Sequence, residues 1–298
     1  MLFADNMELI IAKNSGLCYG VKRALQLAKS TRLRKTGPVQ TLGELIHNPR
    51  VIADLKKEGL SAAAGPESVE RGTIIIRSHG VGPDTYQILK KKKIEVVDAT
   101  CPIVMRIQKL VERLVKKGED IIIVGNREHP EIRGLLGYSR GRGRIIENEA
   151  QARRLPRRKK RAVLAQSTQD LLLYSRVVGA LLERTKELDV YNTICHFTQT
   201  RQKSTADLAA RVDTLFIVGG KRSSNTTKLY HLAKRILPNT HFIESAAEIH
   251  PRLLEGAKRI GISGGASTPP EAIAEAVAKI RNSFKRQAQR EDVGPWQS

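Results

Sequence analysis

Residues 94–117, IEVVDATCPIVMRIQKLVERLVKK, decide the fold. The run IEVV is rich in β-branched residues and reads as a short strand. A polar turn, DAT, carries it to Cys101. From Pro102 the apolar residues fall at 103, 104, 107, 110, 111, 114 and 115, the spacing of one helix face. Proline suits the first turn of a helix, where its missing N–H costs nothing. The building unit is therefore strand, turn, cysteine, helix.

The same unit recurs on either side. ELIIAKNSGLC (8–18) leads into GVKRALQLAKS (20–30), and LDVYNTIC (188–195) leads through a polar turn into QKSTADLAARV (202–212). Further strand candidates are TIIIRS (73–78), DIIIVG (120–125), AVLAQS (162–167), TLFIVGG (214–220) and RIGISGG (259–265). Each is followed by a polar or glycine-rich turn and a helical pattern. Repeated units of this length predict parallel sheets covered by helices. The 298 residues have room for three α/β units, divided near 102 and 195: residues 1–102, 103–195 and 196–282. Residues 283–298, SFKRQAQREDVGPWQS, lose the periodicity and are expected to form a basic mobile tail.

Composition narrows the class. Hydrophobic residues are 40 % of the chain, enough for a sizeable core, and no apolar run approaches the roughly 18–20 residues that span a bilayer. MLFADNMELII has neither the basic leader nor the cleavage site of a secretory signal, so a cytoplasmic location with no membrane partner is expected. The formal charge of +22 concentrates in KKKK (90–93), RRLPRRKKR (153–161) and the tail with Lys285, Arg286 and Arg290. Such runs bind nucleic acid or anionic lipid in some proteins and are solvated surface in most. Aromatic residues are only 4 %, so the stacking platforms of a single-strand binder are lacking, and nucleic acid is not the expected partner. A positive field also draws in an anionic substrate or an acidic electron donor.

Cys18, Cys101 and Cys195 are the only cysteines, and they divide the chain into rough thirds. An odd number argues against a disulfide framework, and the absence of a CxxC pair argues against a zinc ribbon. Any one of them alone reads as a small buried hydrophobe. Together they fall at the carboxyl ends of expected strands, where open parallel sheets bind ligands. The same ends carry His79, His129, Glu131, Ser167, Thr168, Ser223–Asn225 and Ser267. Three thiolates from separate units suit a cubane iron–sulfur cluster that keeps one iron without a protein ligand; zinc is the alternative, usually with closer ligand spacing. The SSN triplet after GGKR reads as an anion cradle or as an ordinary N-cap, and GGAST at 264–268 has the same two readings. Glu131 is suited to relay protons with Ser167 and Thr168, or else to a surface ion pair. His47 and His79 are binding or structural residues.

Nine segments carry a resemblance. They are GLCYGVKRAL (16–25), TLGELIHNP (41–49), RSHGV (77–81), DATCP (98–102), HPE (129–131), AQST (165–168), NTICHFTQTRQ (192–202), GGKRSSNTTKL (219–229) and GGASTP (264–269). In this order, from about residue 8 to about 282, they resemble the 4-hydroxy-3-methylbut-2-enyl diphosphate reductase family, known as IspH or LytB. The resemblance implies a trefoil of three α/β units around a central 4Fe–4S cluster held by Cys18, Cys101 and Cys195. It implies diphosphate binding by His47, His79, His129, Ser223, Ser224, Asn225 and Ser267. Glu131 matches the proton-relay carboxylate, and Ser167 stands where a threonine usually orients the substrate hydroxyl. The implied reaction is the reductive dehydroxylation that ends the methylerythritol phosphate pathway, with ferredoxin or flavodoxin as electron donor. Two departures, SGGAS for the commoner TAGAS and HFT for an Ala-Thr pair after the third cysteine, remove no ligand.

Overall fold

The computed structural model of the protein describes residues 7–292. From the amino end the elements are β1 (Glu8–Ile11), α1 (Tyr19–Arg34), β2 (Val39–Leu42), α2 (Pro49–Lys57), β3 (Ser61–Ala63), β4 (Thr73–Ile76), α3 (Pro83–Lys91), β5 (Glu95–Asp98) and α4 (Pro102–Lys116). They continue with β6 (Ile121–Val124), α5 (Pro130–Ser139), β7 (Gly143–Ile146), α6 (Glu149–Arg153), β8 (Arg158–Ala165), α7 (Leu171–Leu182) and β9 (Thr185–Tyr191). The last are α8 (His196–Ala209), β10 (Thr214–Val218), α9 (Ser224–Ile236), β11 (Thr240–Ile243), β12 (Arg259–Gly264) and α10 (Pro270–Asp292).

Three four-stranded sheets result, in the orders β1-β12-β10-β11, β3-β2-β4-β5 and β7-β6-β8-β9. Every pairing is parallel, as the strand–helix alternation predicts. The chain divides into two compact units. The first is Met1–Leu17 with Thr200–Ser298 and carries the first sheet; the second is Cys18–Gln199 and carries the other two.

Two details depart from the expected division into thirds. β1 pairs with β12, so the first strand completes the sheet of the last third rather than that of residues 1–102. Leu9 packs on one face of that sheet and Ile10 on the other, so β1 is held by apolar contacts on both sides. The expected tail begins inside α10, which continues to Asp292; the sequence there keeps good helix formers and meets no glycine before Gly294. The end of the expected tail, 293–298, lies outside the described residues. β2, β3, β7 and β11 were not expected from the pattern, because Gln40, Ser61, Arg144 and His241 break up runs of only three or four residues.

The β7-β6-β8-β9 sheet shows how the core fixes strand ends. Ile121, Ile123 and Leu164 face one side, where Ile107, Val111 and Leu114 of α4 and Ile132 and Leu135 of α5 cover them. Ile122, Val124 and Val163 face the other, under Val177 and Leu181 of α7. Burying each such side chain contributes about 1.5–3 kcal/mol. At the start of β8, Arg161 is wholly buried. Its guanidinium donates to Asp120 Oδ2 at 3.1 Å, Thr185 Oγ1 at 3.0 Å, the Arg184 carbonyl at 3.2 Å and the Pro156 carbonyl at 2.6 Å. Replacing it strands four acceptors. Arg161→Ala is expected to cost about 3 kcal/mol or more, and Arg161→Lys to recover only part, read as urea midpoints.

Candidate active site

In the second unit the three cysteines occupy one kind of position. Cys18 and Cys101 are the N-cap residues of α1 and α4, and Cys195 immediately precedes α8. The backbone ties them to neighbouring strand ends. Cys101 N donates to the Ser78 carbonyl at 3.0 Å, and Cys195 N donates to the Ser167 carbonyl at 2.8 Å. All three thiols are free and partly buried. Burial pushes the Cys101 and Cys195 thiols above the ordinary range. Hydrogen bonds from the backbone of Ile103 and Val104 to Cys101, and of Thr198 and Phe197 to Cys195, oppose that shift. Each of the two also feels the charge of Cys18. Buried thiols that stay protonated alone, yet meet N–H groups at helix starts, are well prepared for a metal that deprotonates them.

Gly20 makes room for this arrangement. A Cβ there would lie 2.6 Å from Cys101 Sγ, which would have to shift, and a tight 3.1 Å from Cys101 Cβ. Gly20→Ala is expected to displace the Cys101 thiol. Anaerobically reconstituted Gly20→Ala protein should bind less than half the iron of the unaltered protein while keeping its far-ultraviolet circular dichroism.

Three histidines gather in the same unit. His47 and His79 stack with ring centroids 4.4 Å apart, and His129 meets their edges at 5.7 and 5.3 Å. One ring nitrogen from each lies within 4.8 Å of the other two, a spacing suited to a cation or, through N–H groups, to an anion. The electrostatics favour the anion. His79 lies well below the ordinary histidine range because burial, and then the charges of His129, His47 and Arg77, disfavour its cation. A metal would meet the same repulsion from Arg77. His129 caps α5, and its Nδ1 accepts from Glu131 N at 3.2 Å, which puts the proton of the neutral ring on Nε2. His47 Nδ1 lies 3.2 Å from Glu44 Oε2.

The depressed His79 has a consequence for stability. Unfolded, it binds a proton near pH 6.5; folded, it does not until well below that. The unfolded state therefore binds more protons in the window between, and stability falls as pH drops through it. Urea midpoints of the unaltered protein should fall more between pH 7 and pH 5 than those of His79→Gln.

Glu131 is 2 % exposed at the second position of α5. Ser167 holds both of its oxygens: Ser167 N donates to Oε1 at 2.6 Å and Ser167 Oγ to Oε2 at 2.6 Å. Glu131 is also among the charges felt by Cys195. The surface ion-pair reading of Glu131 therefore fails. Gln166 braces the turn, accepting from Asn126 N at 3.1 Å and donating to Thr168 Oγ1 at 2.8 Å. Neither Gly20 nor Gln166 was given a role from the sequence, although GLCYGVKRAL and AQST contain them.

The remaining expected residues lie in the first unit. Ser223 caps α9, accepting from Thr226 N at 3.4 Å and Thr226 Oγ1 at 3.0 Å. Ser224 and Asn225 form the first turn of that helix. Asn225 is 4 % exposed, and its Oδ1 and Nδ2 have no hydrogen-bond partner among the described residues. A buried primary amide with neither atom satisfied is rare in a folded protein, and such an amide can take a ligand's polar atoms. Gly265 lets the other turn approach: a Cβ there would lie 1.9 Å from Thr226 Oγ1. Ser267 is buried beside it, and Thr268 Oγ1 donates to the Val218 carbonyl at 2.7 Å.

The profile of the LytB protein family matches residues 9–281. The chain is 41 % identical over 278 residues to the 4-hydroxy-3-methylbut-2-enyl diphosphate reductase of Aquifex aeolicus (strain VF5), covering 92 % of this chain and 96 % of that one. It is 40 % identical over 275 residues to the protein of the same name from Geobacter metallireducens (strain ATCC 53774 / DSM 7210 / GS-15), covering 92 % and 97 %. Among solved structures it is similar to (E)-4-hydroxy-3-methyl-but-2-enyl diphosphate reductase, the terminal enzyme of the non-mevalonate pathway. Identity is 40 %, the TM-score 0.69, and coverage 93 % of this chain and 99 % of that one. It is also similar to E-1-hydroxy-2-methyl-but-2-enyl-4-diphosphate reductase from Plasmodium falciparum, at 26 % identity and a TM-score of 0.87, covering 92 % and 87 %.

Proposed function

The chain belongs to the LytB protein family, and from that premise we infer that it is the reductase that removes the hydroxyl group of 4-hydroxy-3-methylbut-2-enyl diphosphate. The products are isopentenyl and dimethylallyl diphosphate, and the step is the last of the non-mevalonate isoprenoid pathway. The observation that carries this reading is the set of three free cysteines at helix starts in one unit, with Glu131 clamped by Ser167 in the same unit.

Cys18, Cys101 and Cys195 would hold a 4Fe–4S cluster. The donor set fits: all-thiolate ligation suits cluster iron, and the chain has no fourth cysteine. Bound there, the cluster would supply electrons one at a time and the Lewis acidity of an iron that the three thiolates leave unligated.

The protein's own groups do the rest. Breaking the allylic C–O bond takes two electrons and two protons: one proton leaves with the hydroxyl as water, and the other goes to carbon at either end of the allyl frame. Glu131 is the proton donor. Both of its oxygens are held at 2.6 Å by Ser167, so the carboxyl group keeps one orientation. The Ser167 hydroxyl also orients the departing oxygen. His47, His79 and His129 donate N–H groups to diphosphate oxygens, and the neutral state of His79 means it does so without a full charge. Ser223, Ser224, Asn225 and Ser267 supply the other diphosphate donors, with the unpartnered Asn225 amide the best prepared of them. The electron donor is a ferredoxin or a flavodoxin. The working place is the cytoplasm, where thiols stay reduced; no described helix is long and apolar enough to cross a membrane.

Anaerobic turnover of 4-hydroxy-3-methylbut-2-enyl diphosphate by cluster-loaded protein, with a chemical reductant, tests the reading. Both five-carbon diphosphates should form, Cys101→Ser should abolish them, and Glu131→Gln should slow them by about 10²-fold or more. Normal turnover by Glu131→Gln would remove the proton-donor role. No product at full iron and sulfide loading would point to a different substrate.

A further inference from the structure

The basic run at 153–161 belongs to none of the chemistry above, and the fold shows that it does not stand alone. Parallel strands all begin at the same end of a sheet. The starts of β6, β7, β8 and β9 therefore bring together charges scattered along the chain: Lys116 and Lys117 before β6, Arg142 and Arg144 at β7, Arg157–Lys159 at β8 and Lys186 in β9. The Arg142 guanidinium donates to the Gly118 carbonyl at 3.0 Å, which joins two of these loops directly.

The start of β8 also projects. Its pairing with β6 begins only at Ala162, whereas Arg158–Arg161 pair with β9 alone, opposite Thr185–Leu188. This two-stranded ribbon is about 13 Å long at the parallel-strand rise. Of the acids nearby, Asp120 pairs with Arg161, Glu119 and Asp189 with Lys160, and Glu149 and Glu183 with Arg153, which leaves Glu187, opposite Lys160 on β9, as the one exposed carboxylate of the ribbon without an ion pair among the described residues. Arg157, Arg158, Lys159 and Lys186 are exposed, and their side chains have no ion pair or hydrogen bond among the described residues.

We propose that this ribbon binds the phosphate backbone of duplex nucleic acid, without sequence preference. The function is separate from the reductase reading and does not depend on it. Guanidinium groups are the side chains best matched to phosphate, and a two-stranded ribbon fits the major groove of a duplex. Neither ribbon strand carries an exposed aromatic residue on which an unpaired base could stack, so the contact is to backbone. An anionic membrane fits less well, because Leu182 is the one exposed large apolar residue adjoining these strand starts. An acidic electron carrier docked here would sit at the wrong end: the ribbon holds the start of β9, whose seven residues of about 3.3 Å each run from there toward Cys195.

The test uses the full-length, cluster-loaded protein and a fluorescein-labelled 20-base-pair DNA duplex, with an RNA duplex of the same sequence in parallel. Anisotropy is followed from 50 to 200 mM KCl. The triple variant Arg157→Gln, Arg158→Gln, Lys159→Gln is compared with Lys90→Gln, Lys91→Gln, Lys93→Gln, which removes the same charge at the end of α3. The ribbon variant should bind DNA at least about tenfold more weakly and lose about three from the slope of log K against log salt. The α3 variant should bind within about twofold of the unaltered protein, and both should keep reductase turnover. Equal weakening by the two triples would show a net-charge effect and overturn the proposal. So would no duplex binding at 50 mM KCl, or ribbon-dependent binding to phosphatidylserine vesicles in place of duplex.

Discussion

The polarity of the parallel sheet governs what this molecule can do. Each strand hands the chain to a turn and then to a helix start, always at the same end of its sheet. That end collects unsatisfied N–H groups and the positive ends of helix dipoles, so it suits thiolates, carboxylates and phosphate. Cys101, Cys195, His79, His129, Glu131 and Ser167 all occupy such turns in the second unit, and Ser223–Asn225 and Ser267 occupy them in the first. The opposite end of the β7-β6-β8-β9 sheet collects cations, for the same topological reason.

Within that frame burial fixes the protonation of the reactive groups over a wider pH range than water would. The Cys101 and Cys195 thiols are kept from ionising by burial, and the His79 ring is kept neutral by burial and by its neighbours. Glu131 is sealed from solvent yet hydrogen-bonded at both oxygens. Asn225 is buried with its amide unsatisfied. The unsatisfied Asn225 amide costs the free protein stability, and a bound ligand would relieve it. Such tension, together with close approaches such as Gly20 to Cys101, separates these turns from the ordinary helix caps they resemble in sequence.

Much of this was legible in the sequence, and the reasons for the misses are specific. Long apolar runs such as TIIIRS and DIIIVG announced β4 and β6, and the heptad-like spacing after Pro102 announced α4. Short strands with a polar residue in the middle, such as β2 and β11, left no readable period. The pairing of β1 with β12 was invisible because a parallel sheet takes its edge strand from anywhere in the chain. The candidate site residues stand out as motifs, but their relations do not. Nothing in HPE or AQST shows that the serine of one holds both oxygens of the glutamate of the other, and nothing in RRLPRRKKR shows that Arg161 is buried while Arg157, Arg158 and Lys159 are exposed.

The central claim is that Cys18, Cys101 and Cys195 hold a four-iron cluster that leaves one iron to the substrate. Mössbauer spectroscopy of the anaerobically reconstituted, ⁵⁷Fe-enriched protein, with and without 4-hydroxy-3-methylbut-2-enyl diphosphate, tests it most directly. The account predicts one iron site in four that differs from the rest and shifts when the diphosphate is added. Four equivalent sites indifferent to the diphosphate, or a protein that takes up zinc and no iron, would contradict it.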